Sequence, residues 1–313
     1  MKLLIVGTGV IGTLYGTMFR DGGHQVTHYV RVGKSLSLKE GIKIDVLDER
    51  KGFSKERQFT YFPETIEIIN PGIQYDFVFI TVNSYQLEEI LKTLASKLLK
   101  STFVILCMNW EGAELVDKFL DRKRYLIGYP GSGGTFKEGV LIASIGNDIR
   151  LGLIDGNDEG RFKVLQECFE SVGITPAIKE NILGWLQGHI ALNVPLWLGV
   201  LFEGCVGLFL KDKKLLKLCF EATKECIELS KKRGVAIENN DETPSYRFPF
   251  WLFLIFLKVL YRTNKNMQRF TAHAAASGDE ALFNAQKILS TARSIQFSMP
   301  NFEKLYQEIS KKF

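Results

Sequence analysis

"IVGTGVIGTLYG" occupies residues 5–16 and places four glycines within ten residues of an otherwise apolar run. A glycine in the interior of a helix or strand costs roughly 0.5–1 kcal/mol relative to alanine. Glycines this dense therefore indicate a turn that has no room for side chains. The apolar stretch "KLLIV" (2–6) predicts a strand before the turn, and the pattern that follows predicts a helix over 10–21. A second strand is predicted at "HQVTHYV" (24–30).

The glycines of this strand–turn–helix unit have the spacing GxGxxG. The first allows a tight turn, the second lets a pyrophosphate approach the backbone, and the third lets the helix pack on the strand. The phosphates then bind free N–H groups at the helix N-terminus, and Gly16 is expected to extend the close packing by one turn. The alternative is a tightly packed turn without a ligand. The predicted dinucleotide site comprises Gly7, Thr8, Gly9, Val10, Ile11 and Gly12.

The end of the second strand indicates which dinucleotide is bound. Proteins that bind NAD usually have an acidic residue about 20 residues after the glycine turn, where it holds the ribose 2′-hydroxyl. Here positions 24–39 contain no acid, and the loop carries Arg31 and Lys34 instead. Arg31 can clamp a 2′-phosphate with two N–H groups, and Lys34 can add charge. The segment predicts NADP (NADPH), with two solvated loop cations as the alternative.

The rest of the chain divides into two parts that differ in their predicted secondary structure. Up to residue 178 apolar strands alternate with helices, which predicts a parallel sheet covered on both faces. Further strands are predicted at 75–82, 102–108 and 124–129, a helix at 85–99, and an antiparallel hairpin from 139–146 and 149–156. Beyond it helices are predicted at 181–210, 213–233, 249–261, 279–293 and 301–311, with a polar loop at 233–249. The fold class is therefore α/β, with an N-terminal Rossmann-type dinucleotide-binding domain (1–178) and a C-terminal all-helical domain (179–313).

Composition excludes several classes of protein. The chain has 313 residues, is 46% hydrophobic and carries a net charge of +5, and no basic run is interleaved with aromatics, so we expect no nucleic-acid partner. Five widely spaced cysteines predict reduced core thiols in a cytoplasmic protein without a metal site. Two apolar stretches, 190–210 and 248–261, are interrupted by polar residues or too short to span a membrane. We expect both to be buried helices and expect no membrane partner.

The opening "IVGTGVIGTLYGTMFRDGGHQVTHYVR" closely resembles that of the ketopantoate reductase (2-dehydropantoate 2-reductase) family. The resemblance is most specific over the first 31 residues. It implies an NADP-binding Rossmann domain joined to a smaller helical domain of the 6-phosphogluconate dehydrogenase C-terminal-like type. It further implies reduction of a 2-keto acid to a 2-hydroxy acid with NADPH, and a possible place in pantothenate biosynthesis.

Two short stretches are similar to family landmarks near the cofactor. Where the family commonly has a Lys-Ala-Tyr-Gln-like turn, this chain reads "NSYQ": Tyr85 and Gln86 match, and Asn83 replaces the lysine. Where the family has an Asn-Gly pair beside the nicotinamide and substrate, this chain reads "MNWEG": Asn109 matches, and Trp110 replaces the glycine. The resemblance implies that Asn83, Gln86 and Asn109 contact the cofactor.

A third landmark departs from the family in its catalytic residue. The first helix of the family's second domain carries Trp-x-Lys-x-x-x-Asn, in which the lysine donates a proton to the carbonyl oxygen and the asparagine binds substrate. This chain reads "GWLQGHIALN". Trp185 matches, but Gln187 stands at the lysine position and Ala191 at the asparagine position. Glutamine cannot titrate as a general acid, so Gln187 is retained only as a candidate substrate contact.

A histidine and an asparagine in the same stretch can replace the missing pair. His189 and Asn193 are four residues apart and so share a helix face, which reproduces the family's Lys/Asn spacing with a shift of two residues. An imidazolium can protonate a carbonyl and titrates near neutral pH. The predicted catalytic residues are therefore His189, Asn193 and Asn109. The alternative for His189 is a hydrogen-bonded histidine of a packed helix.

Two further stretches offer candidates. The family binds substrate hydroxyls with a glutamate in its last helices, and "FTAHAAASGDEALF" offers His273, Ser277 and Glu280. Glu280 has the alternative role of a first-turn residue that complements the helix dipole. The glycine-rich "GYPGSGGTFKEG" (128–139) is interpreted either as a flexible loop beside the nicotinamide or as a turn between strands.

Two hypotheses follow. The first is an NADPH-dependent oxidoreductase that acts on CH–OH groups and reduces a 2-keto-acid-like carbonyl. Because Asn83 and Gln187 replace both family lysines, its substrate is expected to be less charged than ketopantoate. The second is a catalytically inactive NADP-binding sensor or partner-binding protein. The expected partner is a small carbonyl compound, and an exposed face on the helix at 248–261 would indicate a homodimer.

Overall fold

Ten strands form a single sheet in the computed structural model, which describes residues 1–235, 237 and 246–313. Most of the polar loop predicted at 233–249 lies outside these residues. The strands are β1 (Lys2–Val6), β2 (Gln25–Tyr29), β3 (Ile42–Asp48), β4 (Lys55–Tyr61), β5 (Thr65–Ile66), β6 (Phe77–Ile80), β7 (Thr102–Ile105), β8 (Tyr125–Lys137), β9 (Val140–Gly152) and β10 (Thr175–Ile178).

Six strands form the parallel part of this sheet, in the order β5-β2-β1-β6-β7-β8. This is the strand order of a dinucleotide-binding Rossmann domain. The inner strands are apolar along their whole length, as "FVFI" in β6 shows, because helices cover both faces. The strand order reverses between β1 and β6, which opens a crevice at the carboxyl ends of these two strands. The predicted α/β class is confirmed.

Helices connect and cover the strands of this first unit. They are α1 (Val10–Asp21), α2 (Lys34–Ser37), α3 (Leu87–Leu94), α4 (Ala113–Val116) and α5 (Glu159–Glu170), with short 3-10 helices at Ser84–Gln86 and Arg122–Arg124. The buried face of α1 brings Phe19 within 4.9 Å of Phe79 and 5.5 Å of Phe169, measured between ring centroids. Aromatic rings from α1, β6 and α5 thus meet in the core, and this packing fixes the start of α1 above the sheet.

The remaining strands, β3, β4, β9 and β10, extend the sheet in an arrangement that the sequence did not predict. β9 is antiparallel to β8 and parallel to β3 and β10, and β4 closes the edge of the sheet against β3. The hairpin predicted from 139–146 and 149–156 is wrong, because residues 140–152 form the single strand β9 across both stretches, and residues 153–156 lie beyond its end. Its Gly146 resembles a turn residue in sequence, but it lies against the carbonyl of Gly131, where a Cβ atom would collide.

The glycine-rich stretch at 128–139 is likewise neither a loop nor a turn over most of its length. It forms most of β8, with an irregularity in pairing between Pro130 and Ser132. A Cβ atom at Gly134 would lie 2.7 Å from the Cβ of Ala143 on β9. The glycines therefore permit close approach of two strand backbones, and of the two interpretations drawn from the sequence, the turn between strands is confined to residues 138–139.

The chain divides into two compact units, Met1–Leu183 and Gly184–Phe313. The second is helical: α6 (Ile182–Glu203), α7 (Val206–Phe209), α8 (Lys213–Lys232), α9 (Phe250–Thr263), α10 (Lys265–Thr271), α11 (Gly278–Ser294) and α12 (Pro300–Ser310). Among the described residues, α6 is the one helix long and apolar enough to cross a membrane, but 78% of its apolar window is buried inside the structure. An apolar helix of this kind is the core of its unit.

The other apolar stretch differs from its prediction. Phe253 is the only buried residue of α9, where it packs against Phe220 with ring centroids 4.9 Å apart. Trp251 and Val259 are 62% and 55% exposed. The expectation of a buried helix at 248–261 is therefore wrong, because one face of α9 is covered and the other is open.

The cysteines are free thiols. Cys107, Cys168, Cys219 and Cys226 are buried, and Cys205 is exposed. Burial raises the pKa of the Cys168 thiol to about 12, so that it remains protonated at neutral pH. Within the described ranges, no group of three or more His, Cys, Asp or Glu residues is arranged to hold a metal ion.

Candidate functional site

The glycine turn begins where β1 ends. Gly7 has a φ of +98°, which side-chain-bearing residues rarely adopt, and its N–H donates to the Tyr29 carbonyl over 2.9 Å. A Cβ atom at Gly12 would lie 2.7 Å from the Gly7 carbonyl oxygen and 2.8 Å from Thr81 Oγ1. Gly7 and Gly12 are therefore required by the turn itself, before any ligand is considered.

Gly9 differs from Gly7 and Gly12, because the packing of the turn does not itself exclude a side chain there. It is exposed, it caps the start of α1, and no atom lies within 4 Å of the position its Cβ would occupy. The first N–H groups of a helix have no carbonyl partner within the helix, and they form the positive end of its dipole. The first turn of α1 also contains no acidic residue. An open backbone and free donors at a helix start fit the diphosphate of a dinucleotide.

The turn lies at the point where the strand order reverses. Thr81, directly after β6, donates its hydroxyl to the Val6 carbonyl over 2.9 Å and so ties the two strand ends together. Asn83 follows, and its backbone N–H donates to Gln86 Oε1 over 3.2 Å. The Asn83 side chain donates to the Tyr85 hydroxyl over 3.0 Å. These residues form a compact turn at the end of β6, at the same edge of the sheet as the glycines.

Asn109 follows the neighbouring strand β7 and is buried. Its Nδ2 donates to the Gly112 carbonyl over 2.7 Å, and its Oδ1 accepts the Glu111 N–H over 3.2 Å. Gly112 has a φ of +65°, which the tight turn requires. The nitrogen and the oxygen of the Asn109 side-chain amide thus both bond to the backbone of the turn that follows Asn109. This arrangement shapes the carboxyl end of β7.

The two loop cations stand between β2 and α2. Arg31 and Lys34 are exposed, and no ion pair joins Arg31 to an acid anywhere in the described part of the chain. Glu67 holds this loop in place, because its Oε1 accepts the Ser35 N–H over 3.0 Å. Hydrogen bonds from the Gly33 and Ser35 N–H groups lower the pKa of Glu67. Glu67 was not among the residues predicted from the sequence, since it lies 32 residues from the amide it binds.

A buried histidine supports the glycine turn from beneath. His28, on β2, has no exposed surface; its Nδ1 lies 2.9 Å from the Gly7 carbonyl oxygen and its Nε2 2.9 Å from the Tyr61 hydroxyl. Burial lowers the pKa of His28 to about 4 and raises that of Tyr61 to about 12. Both side chains are therefore neutral at pH 7. The sequence did not predict this pair, because Tyr61 belongs to the unpredicted strand β4.

In the second unit, His189 and Asn193 lie one turn apart on α6. The Trp185 ring stacks on the His189 ring, with centroids 5.2 Å apart and planes 15° apart. Asn193 Nδ2 donates to His189 Nδ1 over 3.2 Å and to the His189 carbonyl over 2.9 Å. Because Nδ1 accepts a hydrogen bond, the neutral ring carries its proton on Nε2.

His273 lies near His189. Its Nδ1–H donates to the Phe270 carbonyl over 2.7 Å, and its ring stands edge-on to Trp197 at 5.5 Å. Burial lowers the pKa of His273, and a positive charge on His189 acts in the same direction. The structure therefore pairs His189 with Asn193 and places His273 where the charge of His189 acts on it. Trp197 was not predicted, since an apolar helix gives no signal for one particular aromatic residue.

The surroundings of the remaining candidate substrate contacts do not indicate a ligand. Gln187 is half-buried on α6. Ser277 precedes α11, and its side chain makes no capping hydrogen bond. Glu280 lies in the first turn of α11, and its carbonyl accepts Asn284 Nδ2 over 2.9 Å. The position of Glu280 agrees with its alternative role of complementing the helix dipole.

The chain is similar to known reductases in sequence and in fold. Residues 3–154 match the family model described as ketopantoate reductase PanE/ApbA. The 2-dehydropantoate 2-reductase of Pyrococcus horikoshii is 26% identical over 243 residues, which cover 76% of each chain. The 2-dehydropantoate 2-reductase structure from Geobacter metallireducens superposes with a TM-score of 0.76 at 17% identity, covering both chains completely. A ternary structure of D-mandelate dehydrogenase with NADH and anilino(oxo)acetate gives a TM-score of 0.75 at 15% identity, covering 100% of this chain and 98% of that one.

Proposed function

We propose that this chain, which belongs to the ketopantoate reductase PanE/ApbA family through its residues 3–154, is an NADPH-dependent oxidoreductase that reduces a 2-keto-acid-like carbonyl to an alcohol. The observation that carries the proposal is the open turn at Gly9, where a Cβ atom at the start of α1 would meet nothing within 4 Å. A turn built only for packing has no need of this space.

The cofactor contacts follow from the elements that converge on the crevice. The amides of residues 7–12 would bind the diphosphate, and Arg31 with Lys34 would bind the 2′-phosphate. A bound NADPH would supply the hydride, and the chain's own residues would orient the ring and exclude water. The side chains that follow the next two strands would shape the nicotinamide end: Asn83, Gln86 and Asn109.

His189 is the residue that would donate the proton to the substrate carbonyl oxygen. Reduction of a carbonyl needs a hydride at carbon and a proton at oxygen. Asn193 Nδ2 donates to His189 Nδ1 over 3.2 Å, so the neutral ring would donate its Nε2–H to the carbonyl oxygen as the hydride adds to carbon, and Nε2 would then take up a proton from solvent. Trp185 stacks on the ring and fixes its plane. His273, whose pKa burial lowers, stays neutral and adds no competing charge.

The charge of these residues favours a less charged substrate. Asn83 and Gln187 stand where the family resemblance places lysines, so two cations that would attract a carboxylate-bearing substrate are absent. Aromatic side chains, Trp185 and Trp197, pack against the histidines instead. We therefore expect a less charged carbonyl compound, such as an aldehyde, to be reduced faster than ketopantoate.

The test combines binding with turnover. NADPH and NADH are titrated against the protein by fluorescence, and NADPH oxidation is followed with ketopantoate, phenylglyoxylate and a panel of aliphatic 2-keto acids and aldehydes. We expect NADPH to bind and at least one aldehyde or 2-keto acid of the panel to be reduced faster than ketopantoate. Binding without turnover of any compound would support a catalytically inactive NADP-binding protein. If neither nucleotide binds, the assignment of the glycine turn is wrong.

Two further features of the chain, its free thiols and the exposed face of α9, bear on its cellular location and its oligomeric state. A cytoplasmic location agrees with five free thiols, four of them buried. We also propose that a second copy of the chain covers the exposed face of α9, where Trp251, Ile255 and Val259 are 62%, 49% and 55% exposed. Contiguous apolar surface of this kind is typical of protein interfaces.

A further inference from the structure

The position of Gly16 is explained by a side chain on the neighbouring strand. A Cβ atom at Gly16 would lie 2.7 Å from His28 Cε1 and 2.7 Å from the Tyr61 hydroxyl. Contacts this short do not occur between real Cβ atoms and their neighbours, so any other residue at this position would displace the histidine. Gly16 thus gives room to an imidazole under α1, which is more specific than the general close packing expected from the sequence.

The hydrogen bonds of His28 determine where its proton lies. Tyr61 keeps its O–H at neutral pH, because burial raises its pKa to about 12, and it can donate to Nε2 over 2.9 Å. With Nε2 accepting, the neutral ring carries its proton on Nδ1. Nδ1 then donates to the Gly7 carbonyl over 2.9 Å.

The Gly7 carbonyl matters because it shares a peptide plane with an amide of the proposed phosphate site. In a planar trans peptide the C=O and the following N–H point in opposite directions. A carbonyl drawn inward to His28 therefore turns the Thr8 N–H outward, into the turn. Gly7, at a φ of +98°, has a backbone soft enough to turn the other way if that hold is lost.

We propose that His28 is a positioning residue for the cofactor: with Tyr61 and the space left by Gly16, it orients the Gly7–Thr8 peptide so that the Thr8 N–H faces the diphosphate. The inference rests on the proposed binding of a nucleotide at this turn. It goes beyond that proposal because His28 lies under α1 and does not itself touch the nucleotide.

Two substitutions separate positioning from stability. His28→Asn places a donor where Nδ1 was and loses the contact with Tyr61, whereas His28→Gln keeps an acceptor near Nε2 and loses the donor to Gly7. Both leave a polar, uncharged side chain in the same buried space, so both should lower the melting temperature by similar amounts. His24→Asn and His24→Gln serve as matched controls in the same domain.

The readout is the NADPH dissociation constant of the folded variants. One net hydrogen bond corresponds to about a three- to tenfold change in a binding constant. We expect His28→Gln to weaken NADPH binding by about that factor, and His28→Asn to stay within about twofold of the unsubstituted protein. If both variants lose affinity equally, or neither does, the positioning role is wrong. If the unsubstituted protein binds no NADPH, the proposed function fails instead.

A spectroscopic measurement covers the case in which the variants do not fold. Long-range ¹H–¹⁵N correlation spectra of the unsubstituted protein report which ring nitrogen of His28 carries the proton. We expect the Nδ1–H form between pH 6 and 8, in both the free and the NADPH-bound protein. A proton on Nε2 would contradict the proposal, since Nδ1 could not then donate to Gly7.

Discussion

At the scale of single residues, Arg31 is the side chain on which cofactor choice depends. It is exposed on the loop after β2, and that loop is held by Glu67 through the Ser35 amide at 3.0 Å. A hydrogen bond to a charged group contributes about 1.5–3 kcal/mol, or roughly ten- to a hundredfold in affinity. We expect Arg31→Ala to weaken NADPH binding by this factor and to leave NADH binding unchanged, as measured by fluorescence titration.

The matched control for Arg31 is Lys39→Ala, which removes an exposed cation from the following segment. It should change the affinity for neither nucleotide by more than about twofold, because it makes no directed contact with the phosphate. Equal losses of NADPH and NADH affinity in Arg31→Ala would contradict the assignment of Arg31 to the 2′-phosphate.

His189 is the residue on which the proposed chemistry depends. General acid catalysis contributes about 10²- to 10⁴-fold to a rate. We expect His189→Ala to lower kcat by this factor while NADPH affinity stays unchanged, as measured by steady-state kinetics and titration. His24→Ala removes another histidine as a control. A His189→Ala protein with unchanged kcat would assign the proton to another group.

His28 makes the stability of the fold depend on pH. Its pKa is about 4 in the folded chain and near 6.5 when unfolded, so between these values only the unfolded chain takes up the proton. The contribution of neutral His28 to the free energy of unfolding is fully present above pH 6.5. Below that pH the free energy of unfolding falls by about 1.4 kcal/mol per pH unit, down to pH 4.

His28→Asn removes this dependence. Urea unfolding at pH 7 and pH 4.5 should show the unsubstituted protein losing about 2–3 kcal/mol more than the variant between the two conditions. The polar and charged groups beside the ring, Arg20 and Tyr61, are common to both proteins, as are the groups that titrate elsewhere in the chain, so their effects cancel in the comparison. Equal losses would show that His28 is not buried in its neutral form.

At the scale of elements, the glycines of the β1–α1 turn have two different roles. Gly12 is needed for packing, whereas Gly9 is expected to make room for the ligand. Gly12→Ala places a Cβ atom 2.7 Å from the Gly7 carbonyl oxygen, and such overpacking costs typically about 1–3 kcal/mol. Gly9→Ala meets nothing within 4 Å. Its cost at a helix cap should stay within about 1 kcal/mol.

Both substitutions should weaken NADPH binding, but only Gly12→Ala should strongly lower the free energy of unfolding. Urea unfolding and NADPH titration of the two variants provide the comparison, with Gly9→Ala as the control for stability. If Gly9→Ala binds NADPH as tightly as the unsubstituted protein, the diphosphate does not approach the backbone at Gly9.

At the scale of the whole molecule, α9 presents a face that the chain leaves uncovered. Trp251, Ile255 and Val259 follow one another at intervals of four residues, and therefore lie along one side of the helix. A closed dimer uses the same patch on both copies, so each substitution acts twice. We expect the protein to be dimeric by size-exclusion chromatography with light scattering.

Ile255→Glu with Val259→Glu should raise the dimer dissociation constant by about a hundredfold or more, since each interface would bury two unpaired carboxylates from each copy. Leu99→Glu, at another exposed apolar position in the first unit, is the matched control and should leave the dimer intact. A protein that is monomeric at all concentrations would show that no second copy covers this face.

The amino-acid sequence by itself determined the unit from β1 to β2 and most helices of the second unit, because their signals are local. The glycine spacing acts within one turn, and a helix repeats its apolar residues every three or four positions. The pairing of His189 with Asn193 was predictable for the same reason, since both lie on one turn of α6.

Only the tertiary structure decided what depends on contacts between distant segments. β3 and β4 join the sheet through β9, whose Gly146 imitates a turn in sequence but lies flat against Gly131. Through β4 the fold brings Tyr61 to His28, and through β5 it brings Glu67 under the loop of Arg31. Strand pairing and side-chain hydrogen bonds across more than thirty residues leave no periodic trace in a sequence. They are selected only when the whole sheet has formed and buried polar groups must find partners.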